Sequence, residues 1–224
     1  MINTEWSEGL RGPIDTGHKD LEWLWTEKPK HPADNTWRHV KDGYYIGKKS
    51  NEFDRYIMMM PAEGELLAKY SSQAKIGIVE IGRKYGGSTL IIASHSSVPV
   101  TSIDWNPLEV EKIQQILKEN TRVTLLKGDS RKVKIDSEFD VLFVDGMHKS
   151  SFIKADLNNH WPNLTIGGYA LFHDMLFYNY KGETYGISSV NDAVKELIPV
   201  YGEIVEQVGT LAVVRKVCEL EDES

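Results

Sequence analysis

Lys75–Ser88 reads KIGIVEIGRKYGGS. It opens with a short run rich in β-branched residues, Ile76, Ile78, Val79 and Ile81, and carries an acid near its end, Glu80. The run breaks at Gly82 and turns through Gly86 and Gly87, after which Ser88-Thr89-Leu90-Ile91-Ile92-Ala93 has the composition of a helix start. A buried strand, a glycine turn and a helix N-terminus form the usual cradle for a nucleotide-like ligand in an open α/β sheet.

Downstream of this stretch the pattern repeats. Strands are expected at Val98–Ile103, Arg122–Leu126, Phe139–Val144 and Tyr169–Phe172, and helices at Leu108–Glu119 and Ser150–Trp161, the second stopping at Pro162. Upstream, Pro61–Tyr70 reads as a helix with proline at its first position and acids in its first turn. Alternating strands and helices predict a doubly wound, mostly parallel α/β sheet with helices on both faces. Beyond the Ile187–Leu197 helix, Tyr201–Gln207 and Thr210–Val217 flank Val208-Gly209 as an antiparallel C-terminal hairpin.

The totals agree with such a fold. The chain has 224 residues, 41% hydrophobic and 26% charged, which suits one globular α/β domain. A net charge of −7 argues against broad nucleic-acid binding. A single cysteine, Cys218, excludes an internal disulfide framework. No signal peptide is visible, and no apolar run approaches the roughly 18 residues that span a bilayer, so a cytoplasmic protein without a membrane partner is expected.

Residues 1–52 differ from residues 53–224. They hold four of the six tryptophans, Trp6, Trp23, Trp25 and Trp37, in a polar segment with weak periodicity. A short helix is expected at His18–Thr26. So much aromatic area implies an arm that folds onto the main domain or onto a second copy in a homodimer, or that walls a substrate pocket.

Ligands in such sheets bind at the carboxyl ends of the strands. The expected strand ends carry Glu80, Asp104, Asp129, Asp145 and Asp174. One such acid is often a turn or helix cap; five together favour a functional rim. Asp104 is placed to accept hydrogen bonds from a ribose diol, as NAD or S-adenosylmethionine would offer. A dinucleotide fingerprint needs G-x-G-x-x-G, and Lys84 stands where the second glycine should be. The E-x-G-x-x-x-G-G turn suits an amino-acid tail better than a pyrophosphate.

VEIGRKYGGST, SIDWNP, LLKGDS and FDVLFVDGMHKSSFIKADLNNHWPNLTIGGYALFHDM together resemble the class I S-adenosylmethionine-dependent methyltransferases over Lys75–Val217. Within them the chain looks most like the small-molecule O-methyltransferase branch of macrocin-type sugar O-methyltransferases and CmcI-like proteins. The resemblance implies a seven-stranded sheet. It also implies that Glu80, Gly82 and Gly86 surround the methionine portion of the cofactor, and that Ser88 bonds its carboxylate. By the same token Asp104 would hold the ribose with Trp105 beside the adenine, and Asp129 and Ser130 would line the adenine end. Asp145 and Asp174 match the acids that bind a divalent cation in metal-dependent members.

Two carboxylates at adjacent strand ends are also hard oxygen ligands suited to Mg²⁺ on chemical grounds. Catechol-type enzymes place an Asn directly after the second acid, where this chain has Met175. CmcI-like proteins place a Glu directly before it, where this chain has His173. His173 as third ligand would soften the site toward Mn²⁺ or Fe²⁺. His148 and His173 are the candidate general bases, working beside Asp145. Alternatively, His148 bonds Asp145 at a helix start, and His173 orients Asp174. Asp156 and Trp161-Pro162 read as structural, Arg131–Lys134 as a solvated edge, and Asp174–Ser189, with Tyr178, Tyr180 and Tyr185, as a substrate-covering loop.

The expected function is methyl transfer from S-adenosylmethionine to a hydroxyl of a small-molecule or sugar acceptor. The alternatives are a non-catalytic cofactor-binding or assembly protein and, more remotely, an NAD-dependent oxidoreductase.

Overall fold

The computed structural model describes Leu21, Leu24 and residues 56–107, 111–178 and 182–218. The tryptophans of residues 1–52, the helix expected at His18–Thr26 apart from Leu21 and Leu24, the boundary at residues 52–53, Tyr180 and the first turn of the helix expected from Leu108 lie outside them. The strands are β1 (Ile78–Ile81), β2 (Val100–Asp104), β3 (Val123–Lys127), β4 (Phe139–Val144), β5 (Leu164–Phe172), β6 (Phe177–Tyr178), β7 (Thr184–Tyr185), β8 (Gly202–Val208) and β9 (Leu211–Lys216). The helices are α1 (Pro61–Gln73), α2 (Gly87–His95), α3 (Glu111–Glu119), α4 (Ser150–His160) and α5 (Ser188–Tyr201).

Seven strands form one sheet in the order β3-β2-β1-β4-β5-β9-β8. Neighbours from β3 to β5 pair in parallel; β9 runs antiparallel to both β5 and β8. The doubly wound sheet with its reversed C-terminal strand is therefore as the sequence predicts.

The period of two along each strand builds two cores. Val141 and Phe143 of β4, with Leu211 and Val213 of β9, face a cluster that includes Leu67 and Leu90–Ile92 of α1 and α2. Leu142 and Val144, with Ala212 and Val214, face a second cluster with Ile153, Leu157 and Val194 of α4 and α5. Each fully buried aliphatic side chain contributes about 1.5–3 kcal/mol. Leu21 and Leu24 belong to the first cluster, so these two residues of the N-terminal segment pack into the main domain.

Two differences from the sequence reading have physical causes. β5 starts at Leu164 rather than Tyr169. Gly167 takes φ 84°, and the pairing register shifts between Phe139 and Val141, so the Gly167-Gly168 pair bends the strand instead of ending it. The Asp174–Ser189 loop contains a small hairpin, with Phe177 opposite Tyr185 and Tyr178 opposite Thr184. Two-residue strands carry no readable alternation.

Past α4, a 3-10 turn, Trp161–Asn163, closes the helix at Pro162 as expected. Fully buried Lys216 of β9 donates from Nζ to the carbonyls of Trp161 (2.9 Å) and Leu164 (2.7 Å). These carbonyls at the helix end would otherwise be buried without a donor.

Candidate active site at the carboxyl ends of the strands

Strand order reverses between β1 and β4, and ligands in open α/β sheets bind at such a switch point. The backbones after these two strands touch. Gly82 has φ 92°, and a Cβ there would collide with the carbonyl oxygen of Asp145. Gly86, at φ 90°, is the left-handed N-cap of α2, and a Cβ on Gly87 would meet the carbonyl of Tyr56. Glycine is required at all three positions for close approach.

Asp104 holds the turn from the neighbouring strand. Its Oδ2 accepts the backbone N–H of Arg83 (2.8 Å) and of Lys84 (2.7 Å), and its Oδ1 that of Asn106 (2.7 Å). A carboxylate offers about four lone-pair sites, so room for a further donor remains. Beside it Trp105 is 72% exposed, an indole face open to stacking.

Glu80 and Ser88 do not line this rim. Glu80 is fully buried beneath the turn, and its carboxylate accepts the hydroxyls of Ser88, Thr89 and Ser102, each at 2.5 Å. Burial raises its pKa against the opposing pull of those bonds and of Arg83. Arg83 Nη1 donates to the Ser102 carbonyl (2.8 Å) and Oγ (3.1 Å). Hydroxyls and guanidinium thus solvate Glu80 from inside, which ties the start of α2 to β1 and β2. The side chains of Glu80 and Ser88, expected at the methionine end, thus bond to each other beneath the turn, because an ionisable group buried there needs these partners.

After β3, Asp129 takes a two-point contact from Arg131, Nε to Oδ1 at 2.8 Å and Nη2 to Oδ2 at 2.7 Å. The Arg131 guanidinium stacks 3.9 Å from the Phe152 ring centroid. Arg131, Lys132 and Lys134 are exposed, as expected of a solvated edge, and Arg131 in addition pairs with Asp129. Ser130 donates to Asp156 Oδ1 (2.6 Å), and its carbonyl accepts from Asn159 (2.7 Å). Asp129 and Ser130, the residues expected at the adenine end, are thus held by α4 or its contacts. Burial outweighs the Ser130 bond and pushes the Asp156 carboxyl up to about 6.

The strand-end acids of β4 and β5 come together with both candidate histidines. His148 Nε2 lies 3.0 Å from Asp174 Oδ2 and 3.7 Å from Asp145 Oδ1. His173 Nδ1 lies 3.3 Å from Asp145 Oδ1 and 3.5 Å from Asp174 Oδ2. Asp174 takes φ 62°, a left-handed conformation that asparagine and aspartate tolerate better than most residues. Ser189 Oγ donates to the His148 carbonyl at 2.5 Å, pinning this histidine to the start of α5.

Asp145, His148 and Asp174 each present a ligand atom, all within 4.8 Å of one another. His173 Nδ1 approaches the same two carboxylates from the more buried side, so both histidines adjoin the pair to which the sequence reading added His173. The enclosed nitrogens His148 Nε2 and His173 Nδ1 are near carboxylates without being aligned to hydrogen-bond them. A cavity of about 10 Å³ lies among Asp145, His148, Ile153, Phe172, His173 and Val190, the scale of one water or one ion. Oxygen and imidazole donors aimed at one small space fit a divalent cation.

Electrostatics lock the cluster. Burial alone would lower the pKa of His148, but the adjacent carboxylates of Asp145 and Asp174 outweigh it and push His148 up to about 9. His173 rises well above its ordinary value for the same reasons, with Glu63 adding to Asp145 and Asp174. Burial opposes ionisation of Asp145 and Asp174, yet the two imidazoles hold both carboxyls low. These shifts favour the cationic form of both histidines.

Glu63, read from sequence only as a first-turn acid of α1, is the residue that sequence reasoning missed. Its Oε2 lies 3.3 Å from His173 Nε2, across 110 positions of chain. No local pattern signals such a contact.

Residues 79–175 match the family described as methyltransferase domain, somewhat under half of the chain. Uncharacterized protein R132 of Acanthamoeba polyphaga mimivirus is 24% identical over 164 residues, covering 66% of this chain and 73% of that protein. Among solved structures, the O-methyltransferase NovP is 14% identical with a TM-score of 0.57, covering 74% of this chain and 84% of that one. The N-methyltransferase NodS from Bradyrhizobium japonicum WM9, in complex with S-adenosyl-L-homocysteine, is 20% identical with a TM-score of 0.52, covering 69% and 86%. At these identities the structural matches show a shared fold. No helix among the described residues is long and apolar enough to cross a membrane.

Proposed function

We propose that this chain transfers the methyl group of S-adenosylmethionine to a hydroxyl of a small-molecule or sugar acceptor, assisted by a divalent cation. The observation that carries this reading is the convergence of Asp145, His148 and Asp174 beside the Gly82–Gly87 turn at the switch point. The methyltransferase-domain match over residues 79–175 supports the methyl-donor half.

In this reading the turn from Gly82 to Gly87 admits the amino-acid end of the cofactor, Asp104 receives the ribose, and Trp105, Asp129 and Ser130 border the adenine. Asp145, Asp174 and His148 would hold the cation, which supplies Lewis-acid stabilisation of the acceptor's alkoxide. Binding there requires His148 to release its proton, because metal ligation needs neutral imidazole. The residues then act mainly by orienting two reactants, which accounts for much of the achievable acceleration in such transfers. The exposed tyrosines of the β6–β7 hairpin, Tyr178 and Tyr185, offer the acceptor an aromatic wall.

Calorimetry with S-adenosylhomocysteine tests the cofactor half. Heat with this ligand and none with NADH is expected; the reverse would replace methyl transfer by a redox reading. An acceptor panel of sugars and polyphenols tests the rest, with turnover expected for the wild type and lost in Asp145→Ala. Turnover surviving that change would remove Asp145 from the chemistry. A second reading, a cofactor-binding protein without turnover, draws on Met175 and His173 at the positions where catechol-type and CmcI-like enzymes carry Asn and Glu. Cofactor binding with no methylated product across the panel would favour it. Association with a second copy, proposed from the aromatic N-terminal segment, is checked by size exclusion of the full chain.

A further inference from the structure

Glu63 sits at the third position of α1 and is 1% exposed. Two of its duties are structural. Oε2 accepts the Met60 N–H (2.7 Å) and so caps α1; Oε1 accepts the N–H (2.6 Å) and hydroxyl (2.8 Å) of Thr210 in the β8–β9 turn. The turn closes tightly over it, since a Cβ on Gly209 would come 2.6 Å from Oε1. Neutral acceptors would satisfy these donors without a buried charge, whose isolated cost is large. The charge has a partner in His173, whose side chain is 6% exposed. The His173 bond and charge, with the Met60 and Thr210 bonds, hold the Glu63 carboxyl below its usual range although burial pushes it up.

His173 has two ring nitrogens and two different neighbours. Nε2 faces Glu63; Nδ1 faces Asp145 and Asp174 and has no aligned hydrogen-bond partner. An anchor on one nitrogen fixes the direction of the other, as carboxylate–histidine pairs do around metal sites. Glu63 in turn is fixed by two separate elements, the start of α1 and the β8–β9 turn. A rigid brace therefore runs from outside the strand-end rim to the carboxylates.

We infer that Glu63 is a positioning residue for the cation site: it holds His173 so that the imidazole keeps Asp145 and Asp174 turned toward His148. The inference rests on the cation reading above. It assigns Glu63 no contact with cation, cofactor or acceptor.

The test is Mn²⁺ titration, by electron paramagnetic resonance of the free ion, on the full wild-type chain, Glu63→Gln, His173→Asn and the double variant. S-adenosylhomocysteine calorimetry and thermal melts accompany each. His173→Asn keeps a polar atom near the place of Nδ1 but loses the link to Glu63. Outer partners of metal ligands typically change affinity by about 10–100-fold, so each single variant should weaken Mn²⁺ by that range while S-adenosylhomocysteine affinity stays within about twofold. In the His173→Asn background, Glu63→Gln should add no more than about twofold. Thr210→Val, which removes only the hydroxyl donor to Glu63, should lower the melting temperature and leave Mn²⁺ affinity unchanged.

Unchanged Mn²⁺ affinity in Glu63→Gln overturns the positioning role alone, as does full multiplication of the two losses in the double variant. Should Glu63→Gln fail to fold, wild-type Mn²⁺ affinity in His173→Asn overturns the role by itself. A wild-type chain that binds no Mn²⁺ overturns the cation reading together with the role built on it.

Discussion

His148 and Asp156 show how burial acts in opposite directions on residues of opposite charge type. Burial works against the charged form of each, but His148 has carboxylates within reach and Asp156 has a hydroxyl and a more distant guanidinium. His148 is therefore raised to about 9 by partners that favour its cation, and its contribution to stability is complete below the ordinary value near 6.5 and is lost as pH rises through about 9. Urea unfolding at pH 7 and pH 10 should find a smaller loss from His148→Gln at the higher pH. Asp156 is raised to about 6 because ionising it is disfavoured, so its stabilising term is complete below about 3.8 and lost as pH rises through 6. Asp156→Asn, which keeps an acceptor for Ser130, should be more stable than the wild type by about 1–2 kcal/mol at pH 8, with the gain gone at pH 4. Thermal melts across pH read both.

At the scale of the element, backbone approach decides what each turn tolerates. The β1–α2 turn presses Gly82 against the Asp145 carbonyl at a left-handed φ. Gly82→Ala combines collision with backbone strain and should cost at least about 3 kcal/mol, with loss of S-adenosylhomocysteine heat in calorimetry. The α4 end is held differently, by Lys216 of β9 reaching the Trp161 and Leu164 carbonyls. Lys216→Met would leave those buried acceptors without their donor, and denaturant midpoints should report a loss of about 1–3 kcal/mol.

Across the whole molecule, the sheet grades from a core to two unlike edges. β1, β4 and β9 are buried almost throughout, whereas β3 and β8 at the two ends alternate between half-buried and exposed residues. Hydrogen exchange should follow this order, slowest in β1, β4, β5 and β9 and faster in β3 and β8. The active-site cluster belongs to the slow set on three sides, since β1, β4 and β5 deliver the turn, Asp145 and Asp174. The exposed β6–β7 hairpin should exchange fastest of the elements around it.

Much of this was legible in the residues themselves. The order of strands and helices, the glycine turn, the strand-end acids and the C-terminal hairpin follow from hydrophobic period, glycine and proline placement, and short-range spacing, all of which are local properties. Where a reading depended on which way a side chain turns, the local pattern was insufficient. Glu80 and Ser88 look alike as rim residues or as a buried pair, and the inward choice comes from Thr89, Ser102 and Arg83 closing around them. Likewise His148 and His173 stand near Asp145 and Asp174 in the chain, but which ring nitrogen of each faces the carboxylates is not written there. That choice, and the role of Glu63 at 110 positions' distance, exist only in the folded chain. Contact across the sheet is set by packing of α1 and the β8–β9 turn, and packing leaves no mark on the sequence near either residue.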